Sequence, residues 1–449
     1  MTISSSGASS PHIVSDLSGN ATAVWLEGGV VKAASKPFGG SWSAATSIST
    51  GTTSTSPNIA VDSVGDVVAV WAKAGNVESS TKLFGASWQM RVIISSTSAS
   101  NPHVAIGGTG SNRTAVIVWS GVANSLSVVY SANKIITGSW STQTAISDTT
   151  HNAGYADVAV DGNANAAAVW YAYNTTGTIY YNVNVQSSYR LSGGSWEPAQ
   201  VLSEPGRRNP ATLVARVAFD AIGNAVALWN MSFDDITFNI ESAVRPIRGT
   251  WTEPTDIVTS NLYAYETDLA VSSLGDALAV YMFYNGAFLL IQSSESDFTG
   301  FIDNAWSVPI NLSSGANHGY PRVASTLTGN TINAAVVWLS TNGTVNTILA
   351  TTGSRSVVLP PTSLAVVQSN NNFGGVFTEY YNTLSWVAST SPNIVGYIVF
   401  RNGTPIGQVA PNVVQFVDDN RVQSGAVTYG VAAVDNQGSQ SAIPTVNYP

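Results

Sequence analysis

The chain has 449 residues, 13 tryptophans, no cysteine and a net charge of −9, with Asp, Glu, Lys and Arg together making only 10%. The lack of cysteine excludes disulfides, cysteine-ligated zinc, iron–sulfur clusters and thiol catalysis. Lys and Arg total 17 and form no cluster larger than Arg207-Arg208, which argues against a nucleic-acid partner.

No run of roughly 18 apolar residues is present to span a bilayer, so membrane insertion is not expected. Hydrophobic residues at 44% are enough for a large core, and the length allows two or three domains. A composition rich in Ser, Thr and Asn but lean in Lys and Glu is typical of secreted or cell-surface proteins. No signal peptide is visible, because Met1-Thr2-Ile3 opens in a strand-like segment.

One phrase recurs along the chain: a turn with Gly and Asn or Asp, small apolar residues, then Ala-Val-Trp or a variant. Its final aromatics are Trp25, Trp71, Trp119, Trp170, Trp229, Tyr281 and Trp338, spaced 46, 48, 51, 59, 52 and 57 residues apart. A second tryptophan follows in the first six copies, at Trp42, Trp88, Trp140, Trp196, Trp251 and Trp306. Each copy parses into four short strands, in the first near residues 11–15, 21–26, 30–35 and 42–49. Seven four-stranded units with sheet faces buried on both sides predict an all-β, seven-bladed β-propeller over residues 1–356.

The seventh copy lacks the second tryptophan, and Thr2-Ile3-Ser4 reads like the outer-strand endings Ser47-Ile48-Ser49 and Ala145-Ile146-Ser147. The N terminus is therefore expected to supply the fourth strand of the last blade and remove the open edges. From Pro360 the pattern changes. "LSW" at Leu384–Trp386, "GYIVFRNG" at Gly396–Gly403 and "TYGVAAVDNQGSQS" at Thr428–Ser441 resemble a fibronectin type III domain, assigned to residues 357–449. The resemblance implies an immunoglobulin-like sandwich with Trp386 and Tyr429 in its core, and Asn370–Tyr381 reads as an enlarged loop.

The turns "KPFGGSW" at Lys36–Trp42 and "LFGASW" at Leu83–Trp88 resemble those of sialidase-like propellers with Asp-box turns, although the Asp is missing. The resemblance implies architecture rather than activity. It puts the second tryptophans opposite the ligand face as structural wedges, and the first aromatic set is read as packing between blades.

Aligning the starts of the innermost strands gives one equivalent position per repeat: His12, Asn58, His103, Asp157, Arg216, Asp268 and Arg322. All are polar and each precedes an aliphatic residue, as alternation beside a central channel requires. In a structural reading, Asp157 and Asp268 neutralise Arg216 and Arg322 across blades. In a functional reading, the ring's mouth binds a small polar or anionic ligand, with loop residues His151, Tyr155, Arg207, Arg208, His318 and Tyr320. No catalytic residue, metal ligand or cofactor is assigned.

The resulting expectation is an exported, non-catalytic binding protein for a glycan, small polar ligand or protein. Two alternatives stand beside it: a glycan-processing enzyme, or a purely structural surface protein. Against sialidase chemistry, the sialidase resemblance places an arginine where this chain has His12, and only Arg216 and Arg322 occupy ring positions. Tyr265 and Glu266, being adjacent on an extended chain, are expected to point apart. Asp62 with Asp66, and Asp161 with Asn163 and Asn165, have residue types that suit calcium, but such residues belong at turns for conformational reasons too.

Overall fold

The computed structural model describes residues 2–5, 7–95, 98–176, 179–204, 213–232, 237–260, 262–296, 305–341, 346–423 and 425–448. Among them no α-helix occurs, and antiparallel sheets follow one another in chain order. Sheet one contains Ala8–Ser15, Ala21–Glu27, Val30–Lys36 and Thr46–Ser47. Sheets two to six repeat this four-stranded meander, with first strands Ser54–Val61, Ser100–Gly107, Asn152–Val160, Ala215–Phe219 and Ala264–Val271. Sheet seven has three strands, Asn317–Thr328, Thr331–Thr341 and Asn346–Ser356. From sheet one to sheet seven, each first strand lies against the first strand of the next sheet.

The recurrent Gly-Asn/Asp phrase has a local cause. Asp16 Oδ1 accepts the N–H groups of Ser18 and Asn20, both at 2.9 Å, while Gly19 takes φ +79° to turn the chain into the second strand. Asp62, Asp161 and Asp220 build the same turn. The acidic pairs considered for calcium are accounted for here. Arg113 from the next sheet sits between Asp62 and Asp66, and Asp161 is bonded to the Asn163 and Asn165 backbone and the Asn165 side chain.

The first aromatic set is core. Trp71, Trp119, Trp170, Trp229 and Tyr281 are fully buried, so they serve inter-sheet packing rather than sugar stacking. The indole N–H groups of Trp71, Trp170 and Trp229 find polar partners within their own sheet: Glu78 at 2.9 Å, Gln186 at 3.1 Å and Glu241 at 2.8 Å respectively. The second tryptophans are half-buried wedges at the far end of the sheets. Trp140 donates to Ser79 and Trp306 to Ser242, each one sheet back and both at 2.8 Å. Cations lie over two of them: Lys134 lies 5.4 Å over Trp140 and Arg190 lies 5.9 Å over Trp196.

Two expectations need correction. The outer strand is only a residue pair, Thr46–Ser47 in sheet one, because the segment from Trp42 to Ala45 serves as wedge and turn. The N terminus does not form a strand of sheet seven here. Thr2–Ser5 are irregular, the Ser5 N–H is taken by Glu27 at 3.1 Å, and Ile3 packs on Ala23, Trp25, Ala34 and Trp42 of the sheet-one side.

The C-terminal region forms two further sheets. One joins Thr362–Asn372, Thr378–Val387 and Gln415–Arg421; the other joins Thr404–Val409, Ile394–Arg401, Val427–Asp435 and Thr445–Tyr448. They share a core holding Leu384, Trp386, Tyr397, Val399, Tyr429 and Val431. The Tyr429 hydroxyl accepts from Asn382 at 2.9 Å and donates to Asp418. The stretch read as an enlarged loop is instead a hairpin. Pairing continues to Asn372↔Thr378, and Phe373 stacks on Phe377 at 4.6 Å beside the turn.

Candidate functional site

The seven equivalent inner-strand positions carry two alternating kinds of residue. Sheets one, three, five and seven present His12, His103, Arg216 and Arg322; sheets two, four and six present the acceptors Asn58, Asp157 and Asp268. Each acceptor side chain takes a backbone N–H from the next sheet. Asn58 Oδ1 accepts from Val104 at 3.1 Å, Asp157 Oδ2 from Val217 at 3.1 Å, and Asp268 Oδ2 from Val323 at 3.0 Å. The carboxylates use their other oxygen on the base of the preceding sheet. His103 Nδ1 lies 3.0 Å from Asp157 Oδ1, and Arg216 Nε donates to Asp268 Oδ1 at 3.1 Å.

The expected pairing of Asp157 with Arg216 and Asp268 with Arg322 is therefore shifted by one sheet. Asp157 pairs with His103, Asp268 pairs with Arg216, and Arg322 has no ion pair among the described residues. Its guanidinium donates to the Pro321 carbonyl at 2.7 Å and is otherwise exposed. Bases and acceptors alternate in chain order, and both ends of the series are bases, His12 in sheet one and Arg322 in sheet seven.

Electrostatics follow from this arrangement. His12 is pushed down to about 4 by burial and then by the positive neighbours His103, Arg322 and Arg216, so it is a neutral imidazole at pH 7. Burial raises the Asp157 carboxyl, but His103, Arg216 and the Val217 N–H outweigh that and hold it below the ordinary carboxylate range.

A second tier sits two residues before the ring. Ser10, Ser56, Asn101, Tyr155, Glu266 and Tyr320 all occupy the left-handed region, with φ between 48 and 58°. At each of these places the pairing with the second strand slips, which marks a β-bulge. Non-glycine residues avoid this conformation, so six equivalent instances form a repeated device, and such devices concentrate at functional sites. The tier is lopsided: small polar residues in sheets one to three, and Tyr155, Glu266 and Tyr320 in sheets four, six and seven.

The bulge also removes the extended backbone assumed between Tyr265 and Glu266. Burial raises the Glu266 carboxyl against the opposing pull of Arg322 and Arg216. Burial likewise raises the Tyr265 hydroxyl, with Glu266, Tyr320 and Tyr263 adding to the effect. Glu266 thus lies within electrostatic reach of Arg216, Arg322 and Tyr265. Glu266 is set aside in sequence because an extended chain is expected around it. Its offset of two from Asp268, shared with Tyr155 and Tyr320 in their own sheets, was the available signal.

The loop residues divide. Tyr155 and Tyr320 are exposed on the bulge tier, with Tyr155 6.3 Å from Tyr173. His318 does not join them: it is buried edge-on against Trp338 at 6.3 Å. His151 is an exposed partner of Thr150 and Asp148. Arg207 and Arg208 lie outside the described residues. Among the described residues no group of acids and histidines is arranged to hold a metal ion, and no helix is long and apolar enough to cross a membrane.

No protein-family model matches the chain, and no curated protein matches it. Solved structures do. An ulvan lyase of polysaccharide lyase family PL25 is 9% identical, with 75% of this chain covering 90% of that one at a TM-score of 0.48. A Hadza microbial sialidase is 12% identical, with 69% of this chain covering 71% of that one at a TM-score of 0.38. A protein of unknown function from Dyadobacter fermentans is 13% identical, with 68% of this chain covering 94% of that one at a TM-score of 0.42. Two of these three are named as enzymes acting on glycans.

Proposed function

We propose that the seven sheets are the blades of a β-propeller over residues 1–356, followed by a fibronectin type III-like domain over residues 357–449. The chain is read as an exported, glycan-active protein that takes a carboxylate-bearing saccharide at the mouth of its ring. The observation that carries this reading is the base–base mismatch between sheets seven and one. Arg322 has no ion pair among the described residues and faces the mouth beside a neutral His12. A planar carboxylate would satisfy both groups through charge-assisted N–H···O bonds. The exposed rings of Tyr155 and Tyr320 offer flat apolar faces for the sugar.

A second reading, cleavage of the bound glycan, rests on Glu266. A carboxyl raised by burial keeps its proton to higher pH and is suited to protonate a leaving oxygen, while Asp157, held ionised nearby in the ring, is not. The test is calorimetry with uronic-acid oligosaccharides and with neutral ones of equal length, combined with an assay for new chain ends. Binding confined to acidic saccharides and weakened about tenfold or more by Arg322→Ala is expected, a loss of roughly 1.4 kcal/mol. Equal affinity for neutral and acidic chains would discard the carboxylate site. If ends are released, Glu266→Gln must abolish the release while leaving affinity intact; otherwise Glu266 is not the acid.

A further inference from the structure

Sheets one and two meet in the same stagger as sheets four and five, but the two contacts are not filled alike. Ser35 of sheet one corresponds to Tyr189 of sheet four: Ser35 pairs with Thr22, three residues before Trp25, and Tyr189 with Ala167, three before Trp170. Lys82 of sheet two corresponds to Arg245 of sheet five, since they pair with Val67 and Ala225, each four residues before the first tryptophan. The turn glycines confirm the match. A methyl group built on Gly65 would stand 2.8 Å from Asp16 Oδ2 of the preceding sheet, and one on Gly223 would stand 3.0 Å from Asp161 Oδ2.

Between sheets four and five the space beside this approach is taken by the Tyr189 ring. It is 5% exposed, clusters with Ala159, Ala167 and Ala225, and meets Phe219 edge-on at 6.5 Å. The Arg245 guanidinium lies 3.6 Å over its face, and the charges of Arg245 and Asp161 both act on its hydroxyl. Between sheets one and two that ring is missing. Ser35 replaces Tyr189, Val61 replaces Phe219, and a cavity of about 260 Å³ remains, walled by Val14, Val61 and Val67 and bordered by Asp16, Ser35 and Lys82. Lys82 holds the place of Arg245, and Asp16 that of Asp161. Pockets for drug-sized ligands run to roughly 300–1,000 Å³, so this one suits a single ring rather than a saccharide chain.

We propose that this cavity binds a small free phenol, its ring taking the place of the Tyr189 ring, with the Lys82 ammonium over its face and its hydroxyl beside Asp16. Apolar walls reward burial of the ring, the ammonium is attracted to its face, and the carboxylate accepts from the hydroxyl. The cavity lies where the first strands turn into the second, so it is separate from the inner-strand polar series and independent of the saccharide reading.

The test uses full-length protein and para-cresol, the tyrosine side chain as a free molecule, with saturation-transfer proton NMR and calorimetry. Saturable binding with equal numbers of cresol and protein molecules is expected. The ring-hydrogenated analogue of para-cresol keeps the hydroxyl and loses the π face, so it should bind about threefold more weakly or worse; Lys82→Ala should weaken cresol binding by a similar factor. Ser35→Tyr, which returns the ring to the chain, should abolish binding. Absence of saturable binding to the wild type overturns the proposal, and so does undiminished binding to Ser35→Tyr. Equal affinity for the hydrogenated analogue overturns the phenol as occupant, and unchanged affinity in Lys82→Ala overturns the placement of the ring. These last two comparisons decide the matter if Ser35→Tyr does not fold.

Discussion

Sheets three and four and the two end sheets, seven and one, are written in the same residue types, yet among the described residues only the first pair is packed tightly. Across the sealed contact Val118, Val129 and Val158 are 0%, 0% and 6% exposed; their counterparts Val337, Ile348 and Ile13 are 40%, 69% and 63% exposed. The sealed contact also has Ile146 and Ser147 closing the edge and an acid–base pair, His103 with Asp157, at the ring. Among the described residues, sheets seven and one show neither. Apolar matching alone does not join two sheets; an outer strand and a satisfied inner polar pair accompany every tight contact from sheet three to sheet four onward.

The largest way to test this is to remove the filling of a sealed contact. Trp170→Ala deletes a fully buried ring bonded to Gln186 and leaves a cavity between sheets three and four. A loss of about 3–5 kcal/mol is expected in denaturant unfolding of the propeller transition. A loss under about 1 kcal/mol would mean that the contact is looser than its burial implies. Next comes Asp157→Ala, which orphans the Val217 N–H and the His103 imidazole together. A destabilisation of roughly 2–3 kcal/mol is expected, and His103→Ala in the Asp157→Ala background should add little.

These contrasts also mark what was legible beforehand. The repeated sheets were readable because tryptophan recurs at a spacing set by one meander, and the inner-strand polar series because residues alternate there. The bulge tier was hidden because its left-handed positions hold Ser, Asn, Tyr and Glu rather than glycine, so nothing flagged the break in alternation that brings Glu266 to the mouth. The ion pairs were named one sheet off. Composition identifies acids and bases, but whether Asp157 meets His103 or Arg216 depends on the stagger between neighbouring strands. Arg113 likewise had no signal in sequence for its place between Asp62 and Asp66.

Acid should act selectively on the mismatched side of the ring. The native protein keeps His12 neutral down to about pH 4, whereas an unfolded chain protonates it near its ordinary 6.5. Between those values the unfolded state binds the extra proton, so stability falls as pH drops, by up to about 1.4 kcal/mol per pH unit from this group. Below about pH 4 both states are protonated and the contribution levels off. The Asp157 carboxylate, lowered in the folded state, loses its contribution only at still lower pH. Stability curves from pH 7 to 4 for the wild type and His12→Asn should therefore diverge; parallel curves would place His12 in water rather than among bases.

The smallest effect on stability belongs to Arg322, and there the comparison is sharpest. Every other ring residue from Asn58 to Asp268 bonds across a sheet boundary, whereas the Arg322 guanidinium donates only to the carbonyl beside it. Arg322→Ala should change unfolding free energy by less than about 0.5 kcal/mol. It should nonetheless move the His12 titration upward toward 6.5, because one of the charges that suppresses protonation is gone. Proton NMR of the imidazole follows that shift directly. A costly Arg322→Ala with an unmoved His12 would mean that Arg322 is paired across the gap after all, and the odd ring would then have no place left for an acidic ligand.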